Sequence, residues 1–465
     1  MKIENSKIGN YRLTVGLEIH AELNTKTKMF CDSKNDPDET RPNVNICPVC
    51  MGYPGALPII NKEALIRVLR LGLAVGGELT DYTEFDRKNY FYPDIPKGYQ
   101  ISQYKYPLVK GGELSGVKIT RVHLEEDTAK SMHGIENSKL KIENSLLDFN
   151  RAGVPLMELV TEPVIRSAEE AAKFAKELQL LLIYLGIAEV NMEKGEMRVE
   201  ANISVSKGDK LGIKVEVKNL NSFRSVERAI RYEFERQISL LETGDKVVQE
   251  TRGWDENKAE TYSQRLKEES HDYRYFPDPD LPRIFIKEVP EFALKTLQES
   301  LPELPWQKRE QLSKLGISKE HVEIYVTQPE WGSLFEEAVA LLGGSTSKLV
   351  TLASNYITSE LKSHINVEQF SEVIKMISLG EISSKGAKEI IKILQEEGGV
   401  ARNIAEKNNL MQISDREILK EIVEEVLKEE DANAPVQYLI GQVIKKSKGR
   451  ANPQILQEIF QDLLK

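Results

Sequence analysis

The stretch VGLEIHAEL sets a carboxylate and an imidazole two residues apart in a run whose alternate members are apolar. On an extended strand successive side chains point to opposite faces, so Glu18, His20 and Glu22 share one side, and Val15, Leu17, Ile19, Ala21 and Leu23 the other. Glu18 and His20 then stand about 7 Å apart along the strand. Such a pair suits a metal ion held by both; a sheet with one wet face needs no ion. Three further stretches place acids in similar settings. VHLEEDTAKS offers Glu125, Glu126 and Asp127; GVPLMELVTEP sets Glu158 among Leu156, Met157, Leu159 and Val160; GEMRVEANISVS alternates Met197, Val199, Ala201 and Ile203 against Arg198, Glu200, Asn202 and Ser204. An acid in apolar surroundings is costly to bury alone. Its partner is either an arginine such as Arg151 or Arg198, or a hard divalent cation held by several oxygens. If these strands share a sheet, their carboxylates repel unless a cation sits among them, and magnesium accounts for the spacing economically.

Basic and aromatic residues accompany the acids. KVEVKNLNSF presents Glu216 and Lys218 on one face, and FDRKNYFYPDIPKGYQISQY gathers Arg87, Lys88, Tyr90, Lys97 and further tyrosines into a stretch broken by proline and glycine. Stacking on tyrosine and charge from lysine suit a ribose and triphosphate or the acceptor end of an RNA; a tyrosine-rich loop folded over the protein's own core is the alternative. No GxxxxGKS/T, HExxH or dinucleotide-binding glycine pattern occurs, so a nucleotide would not be held by a P-loop. Cys31, Cys47 and Cys50 form C-x15-C-x2-C. This is part of a structural zinc site, which wants four ligands and would need Asp32, Asp36 or another donor; the other reading is thiols packed as small apolar groups. Near the C-terminus, GQVIKKSKGRANP carries Lys445, Lys446, Lys448 and Arg450, with no acid between Ala434 and Pro453. It reads as a turn between helices that meets phosphate, or as a solvated helix end.

These groups are positioned by a chain of 465 residues, roughly three domains of ordinary size. From Tyr11 to about Leu281 short period-two segments read as strands, interrupted by a helix over 167–185, with Ser167 and Glu170 as a capping box, and another over 225–242. PDPDLPRIFIKEVP, at 277–290, reads as a proline-punctuated exit. Helical periodicity follows over 292–301, 305–315, 333–342 and 348–363, and Gly398 and Gly399 break it before a small helical tail. The expectation is an α+β protein: an antiparallel-sheet-rich cradle domain over 1–290, an all-α domain over 291–397 and a small all-α tail over 398–465. A formal net charge of -10 excludes a uniformly basic nucleic-acid coat, so RNA contacts must be local. Three cysteines argue against a disulfide framework, and the polar start and short apolar runs against secretion and membrane insertion, which makes the cytoplasm the simplest address.

At these residues the sequence resembles the GatB family, the B subunits of tRNA-dependent aspartyl/glutamyl amidotransferases. The resemblance rests on VGLEIHAEL, KMFC, CPVCMGYPGALPIIN, FDRKNYFYPDIPKGYQISQY, HLEEDTAKS, DFNRAGVPLMELVTEP, MRVEANISV, EVKNLNSFRSVERAI and DYRYFPDPDLP, and the remaining helices resemble the YqeY-like region of the same family. It implies a ligase acting on misacylated tRNA: ATP phosphorylates the side-chain carboxylate of glutamate on tRNA(Gln) or aspartate on tRNA(Asn), and ammonia displaces phosphate. A separate amidase A subunit supplies the ammonia from glutamine, and a small C subunit completes a heterotrimer. Carried over by motif, Glu18, His20, Glu126 and Glu158 are the magnesium ligands, with Glu200, where the family usually has aspartate, and Asn202 nearby. Arg87, Lys88, Tyr90, Lys97, Arg198, Asn202 and Lys218 meet phosphate, ATP or the tRNA acceptor, and Lys445, Lys446, Lys448 and Arg450 meet tRNA in the tail. Zinc-bearing members carry a further cysteine where this chain has Ser33.

Two rival readings remain. A tRNA-binding scaffold would keep phosphorylation of bound aminoacyl-tRNA after loss of Glu126. An independent metal-dependent hydrolase would release phosphate from ATP without tRNA or partners.

Overall fold

The computed structural model describes residues 7, 8, 10–136, 143–208, 210–266, 273–343, 348–430 and 434–463. Residues 1–6 and Asp272 of DYRYFPDPDLP lie outside them. The chain forms two compact units, Met1–Leu304 and Pro305–Lys465.

The first unit is built on a twisted, mainly antiparallel sheet. Its main path uses β1 (Tyr11–Glu22), β2 (Asp86–Asn89), β3 (Tyr99–Ser102), β4 (Val117–Glu126), β5 (Pro155–Thr161), β6 (Met197–Lys207), β7 (Val215–Leu220), β8 (Glu250–Asp255), β9 (Glu260–Leu266) and β10 (Phe276–Pro277). Their order is β9-β8-β7-β6-β1-β5-β4-β3-β2-β10, with β7 and β8 the parallel pair on this path. The α+β expectation therefore holds. β1 is central, and its alternation is as the sequence foretold: Val15, Leu17, Ile19 and Ala21 are fully buried. Helices α1 (Lys62–Ala74), α2 (Ala168–Tyr184) and α3 (Phe223–Thr243) contribute their apolar stripes to the same core. Each starts where a side chain satisfies an otherwise orphan amide. Asn61 accepts from Glu63 and Ala64, Ser167 from Glu170, and Ser222 from Ser225.

The boundary expected at 290 moves to Leu304. Phe292, Leu297 and Leu304 are buried in the sheet's core, and α4 (Leu294–Glu299) packs on α1. The proline-punctuated stretch is thus a turn within the first unit, because the apolar residues beyond it still belong to the first core.

The second unit is helical among its described residues: α5 (Pro305–Ser313), α6 (Lys319–Thr327), α7 (Pro329–Leu341), α8 (Lys348–Glu360), α9 (Val367–Ser378), α10 (Ser384–Glu396), α11 (Ala401–Lys407), α12 (Arg416–Glu429), α13 (Val436–Lys446) and α14 (Pro453–Leu463). The sequence reading named none of α6, α9 and α10; Ser318 caps α6 by accepting from His321, and Asn366 caps α9 by accepting from Gln369. Helix α11 packs on α9 and α10, whereas α12, α13 and α14 enclose their own core around Leu419, Leu439 and Leu456. The tail's core therefore begins after α11, beyond the expected 397. No described helix is long and apolar enough to cross a membrane.

Candidate active site

Helices cover one face of the sheet; the other carries the charged side chains. Register brings them into rows. His123 of β4 lies opposite Glu158 of β5, which lies opposite His20 of β1, which lies opposite Arg198 of β6. One step along, Glu18 faces Glu200, and Asn202 pairs across with Glu216 of β7. Because cross-strand neighbours sit about 5 Å apart, five strands, most of them far apart in sequence, deliver one cluster. It floors a cavity of about 420 Å³ whose lining includes Glu18, His20, Lys88, Tyr90, Glu125, Glu158, Arg198, Glu200, Glu216 and Lys218.

Two groups of donors stand out. His20 Nε2 is 3.5 Å from Glu125 Oε1 and 3.4 Å from Glu158 Oε2, and His123 Nε2 is also 3.4 Å from Glu158 Oε2. One donor atom from each of His20, Glu125 and Glu158 lies within 4.8 Å of the others, and Glu18, Glu200 and Glu216 form a second such trio. Asn202 Nδ2 donates to Glu18 at 2.7 Å, Lys218 to Glu200 at 2.7 Å, and Thr251 to Glu216 at 2.7 Å. The Asn202 carbonyl oxygen is buried with no hydrogen-bond partner among the described residues. Carboxylates, one imidazole and a spare carbonyl are a donor set that fits a hard divalent cation.

The electrostatics follow from this crowding. Burial raises the Glu18 carboxyl, and the charges of Glu158, Glu200 and Glu216 raise it further. For His20 burial works against protonation, but the hydrogen bond and charge of Glu158, then Glu125 and Glu200, outweigh it and lift the imidazole to about 9. Burial also opposes charge on Lys88, yet Glu125, nearby tyrosines and Glu158 hold its pKa above the ordinary lysine value. Beside this cluster Arg198 Nη2 donates to Asp127 at 2.5 Å, with Arg151 at 3.7 Å. Despite burial those two guanidiniums bring Asp127 down to about 2, while burial and the Asp127 charge push Glu22 up to about 8.

The cavity thus holds most of the residues expected from sequence: Glu18, His20, Glu158, Glu200, Lys88, Tyr90, Arg198 and Lys218, with Asn202 bonded to Glu18. Glu126, expected among the ion's ligands, is not there. It shares a face with buried Val122 and Leu124, where Lys97 donates to its carboxylate at 2.6 Å and the Ile101 amide at 2.9 Å. Glu125 takes its place by alternation. Lys97 is accordingly committed to Glu126, and Arg87 to Asp278 at 2.8 Å and Asp280 at 2.9 Å. His123 was not singled out in the sequence, although its position two residues before Glu125 puts it on the same face.

The three cysteines do converge, their sulfurs within 4.8 Å of one another. Fully buried Lys28 places its ammonium 3.8 Å from Cys50 Sγ and donates to the Phe149 carbonyl at 3.2 Å. Ser33 Oγ is 3.9 Å from the same sulfur. The cluster is one ligand short of a closed structural zinc site. In the tail, Lys445 is exposed in the last turn of α13 and Lys448 in the turn that follows it. Lys446 instead bonds Glu429 at 2.7 Å and Glu425 at 3.1 Å, tying α13 to α12, and half-buried Arg450 has its Nε directed at the Ser447 carbonyl at 3.4 Å.

Comparison with known proteins places the chain among one group of relatives. Residues 13–290 match the model of the GatB/GatE catalytic domain, and residues 334–464 that of the GatB domain. The chain is 41% identical to a Crocosphaera subtropica protein over 98% of both chains. It is 40% identical to a Thermodesulfovibrio yellowstonii protein over 98% of this chain and 99% of that one. A Persephonella marina protein is also 40% identical, over 97% and 99%. Each of the three is named as the B subunit of an aspartyl/glutamyl-tRNA(Asn/Gln) amidotransferase.

Proposed function

Because the chain belongs to the GatB family, we propose that its polar sheet face activates the side-chain carboxylate of glutamate on tRNA(Gln), or aspartate on tRNA(Asn), for conversion to the amide. The chain works with an amidase A subunit that releases ammonia from glutamine and a small C subunit. The observation that carries this reading is the convergence of two carboxylate-rich trios and Lys88, Arg198 and Lys218 on one cavity.

In the first step a carboxylate oxygen of the aminoacyl group attacks the γ-phosphorus of ATP, and ADP leaves. Ammonia then attacks the acyl carbon, the carbon–oxygen bond to phosphate breaks, and the phosphate departs with the surplus proton. Bound by His20, Glu125 and Glu158, with Glu18, Glu200, Glu216 and Asn202 as the second donor group, magnesium would supply charge neutralisation for the phosphate oxygens. The chain's own part is placement. Lys88 stays charged next to Glu125 and Glu158 and offers an ammonium to an incoming anion. Asp127 fixes the Arg198 guanidinium so that it faces the cavity without rotating away. Glu200 does the same for Lys218. Positioned cations suit phosphoryl transfer, in which the protein contributes orientation and electrostatics rather than covalent chemistry.

The test is the reconstituted complex with Glu125→Gln or Glu158→Gln. Misacylated-tRNA-dependent release of phosphate from ATP should fall at least about 100-fold while tRNA binding persists. Retained phosphorylation would make this chain a tRNA-binding scaffold, with the phosphate chemistry elsewhere.

A further inference from the structure

The floor of the cavity is ionic; one wall is not. Tyr104 and Tyr275 stack with ring centroids 4.2 Å apart and planes 12° from parallel, and Tyr273 meets Tyr275 edge-on at 6.2 Å and Tyr90 at 5.9 Å. All four line the cavity. Tyr104 keeps 56% of its surface exposed, so the ring face away from Tyr275 is open.

This wall is built rather than incidental. Asn89 Nδ2 donates to the carbonyls of Tyr273 at 3.2 Å and Arg274 at 2.9 Å, pinning the segment that carries the tyrosines. Just beyond, β10 pairs with β2, Phe276 opposite Arg87. From the other side the Tyr104 amide donates to Asp86 Oδ2 at 3.0 Å. The Lys88 ammonium lies 5.1 Å from the Tyr273 ring centroid, at the seam between aromatic wall and acidic floor. A complementary ligand has a flat neutral ring for the wall and an anion within reach of Lys88. The carboxylate floor offers an aromatic ring no favourable surface, whereas a backed tyrosine face does.

We propose that the open face of Tyr104, backed by Tyr275, is the seat of an adenine base. The inference rests on the reaction proposed above, in which two substrates carry that base: ATP, and the 3′-terminal adenosine of the tRNA. Tyr90 and Tyr273 frame the passage from the base to the acidic floor, and Asn89 acts as a positioning residue.

Kinetics of the reconstituted complex test this, varying ATP and misacylated tRNA in turn. Tyr104→Ala should raise KM for one of the two by roughly 5- to 150-fold, the worth of one base stack, with kcat within about twofold. Tyr104→Phe should restore the wild-type KM, since the ring remains. A rise confined to ATP assigns the wall to the nucleotide; a rise confined to tRNA assigns it to the terminal adenosine. Tyr275→Ala removes the backing and should move the same KM in the same direction. Unchanged KM values for both substrates in Tyr104→Ala, with the melting temperature of wild type, overturn the proposal. If the wild-type complex shows no tRNA-dependent cleavage of ATP, the reaction itself is misassigned. The wall is then tested by equilibrium dialysis of ATP and of tRNA against wild type and Tyr104→Ala: weaker binding of either by the variant sustains the seat, and equal binding of both overturns it.

Discussion

Replacing Glu158 by glutamine should change the pH at which His20 loses its proton, and the structure gives the size of the effect. His20 Nε2 lies 3.4 Å from Glu158 Oε2, and Glu158 is the first of the groups that support the imidazolium against burial, the balance standing at about 9. Opposite charges about 4 Å apart interact by about 4 kcal/mol at an effective dielectric of about 20, which at about 1.4 kcal/mol each is close to three pH units. Glutamine keeps the volume and one acceptor and removes the charge. His20 should therefore titrate about two to three pH units lower in Glu158→Gln, near or below an ordinary histidine. The sign carries through to stability. A folded-state pKa of about 9 above the ordinary 6.5 stabilises the fold fully below pH 6.5, and the contribution is lost as pH rises through 9. At neutral pH it amounts to about 3 kcal/mol in wild type and largely vanishes in the variant. Histidine-ring NMR titration of the magnesium-free protein measures it directly, with His20→Gln to assign one resonance among the 6 histidines. A His20 in the variant that still titrates within about half a pH unit of wild type refutes the assignment of its charge to Glu158.

The same imidazole must be neutral to bind a metal, so magnesium affinity should climb toward tenfold per pH unit between 7 and about 9 and flatten above, as read by calorimetry; a pH-independent affinity would remove His20 from the ligand set. Glu125→Gln and Glu126→Gln should separate cleanly. The first should lose ATP cleavage in protein that still folds; the second, which leaves Lys97 buried without its anion, should lose about 3–5 kcal/mol of stability while keeping ATP cleavage in folded protein. In the tail, Lys445→Ala and Lys448→Ala should each reduce the salt dependence of tRNA binding by about one ion. Lys446→Ala should leave that slope alone and change stability little, its charge being spent on exposed Glu425 and Glu429. Filter binding over a salt series distinguishes them.

Much of the site was legible because strand alternation is a local property. Glu18 and His20 on one face of β1, and Arg198, Glu200 and Asn202 on one face of β6, follow from counting by two. Glu126 shows where counting needs more. In β4, Val117 and Ile119 are buried, and so are Val122 and Leu124. The step of three between Ile119 and Val122 marks the irregularity where Thr161 pairs Ile119 while Val160 pairs Arg121. An extra residue there moves every later side chain to the other face, so His123 and Glu125 face the cavity and Glu126 the core. That spacing is visible in VKITRVHLEED, but it reads as a bulge only once β5 is known to lie alongside. The ion pairs that withdraw Lys97, Arg87 and Lys446 were not legible, since each depends on a partner brought in by the fold. The displaced boundary at Leu304 has the same origin: prolines mark turns, and only packing says which core a turn serves.

β1 lies between β5 and β6 and gives its odd-numbered residues to the interior, while Glu18 and His20 on its other face line the cavity. Deleting a single residue between Val15 and Ala21 would present leucine and isoleucine to the cavity and push glutamate and histidine against the helices, in register with neither neighbour. This strand therefore tolerates no change of length, and insertions that a hairpin end would absorb are forbidden at the sheet's midline.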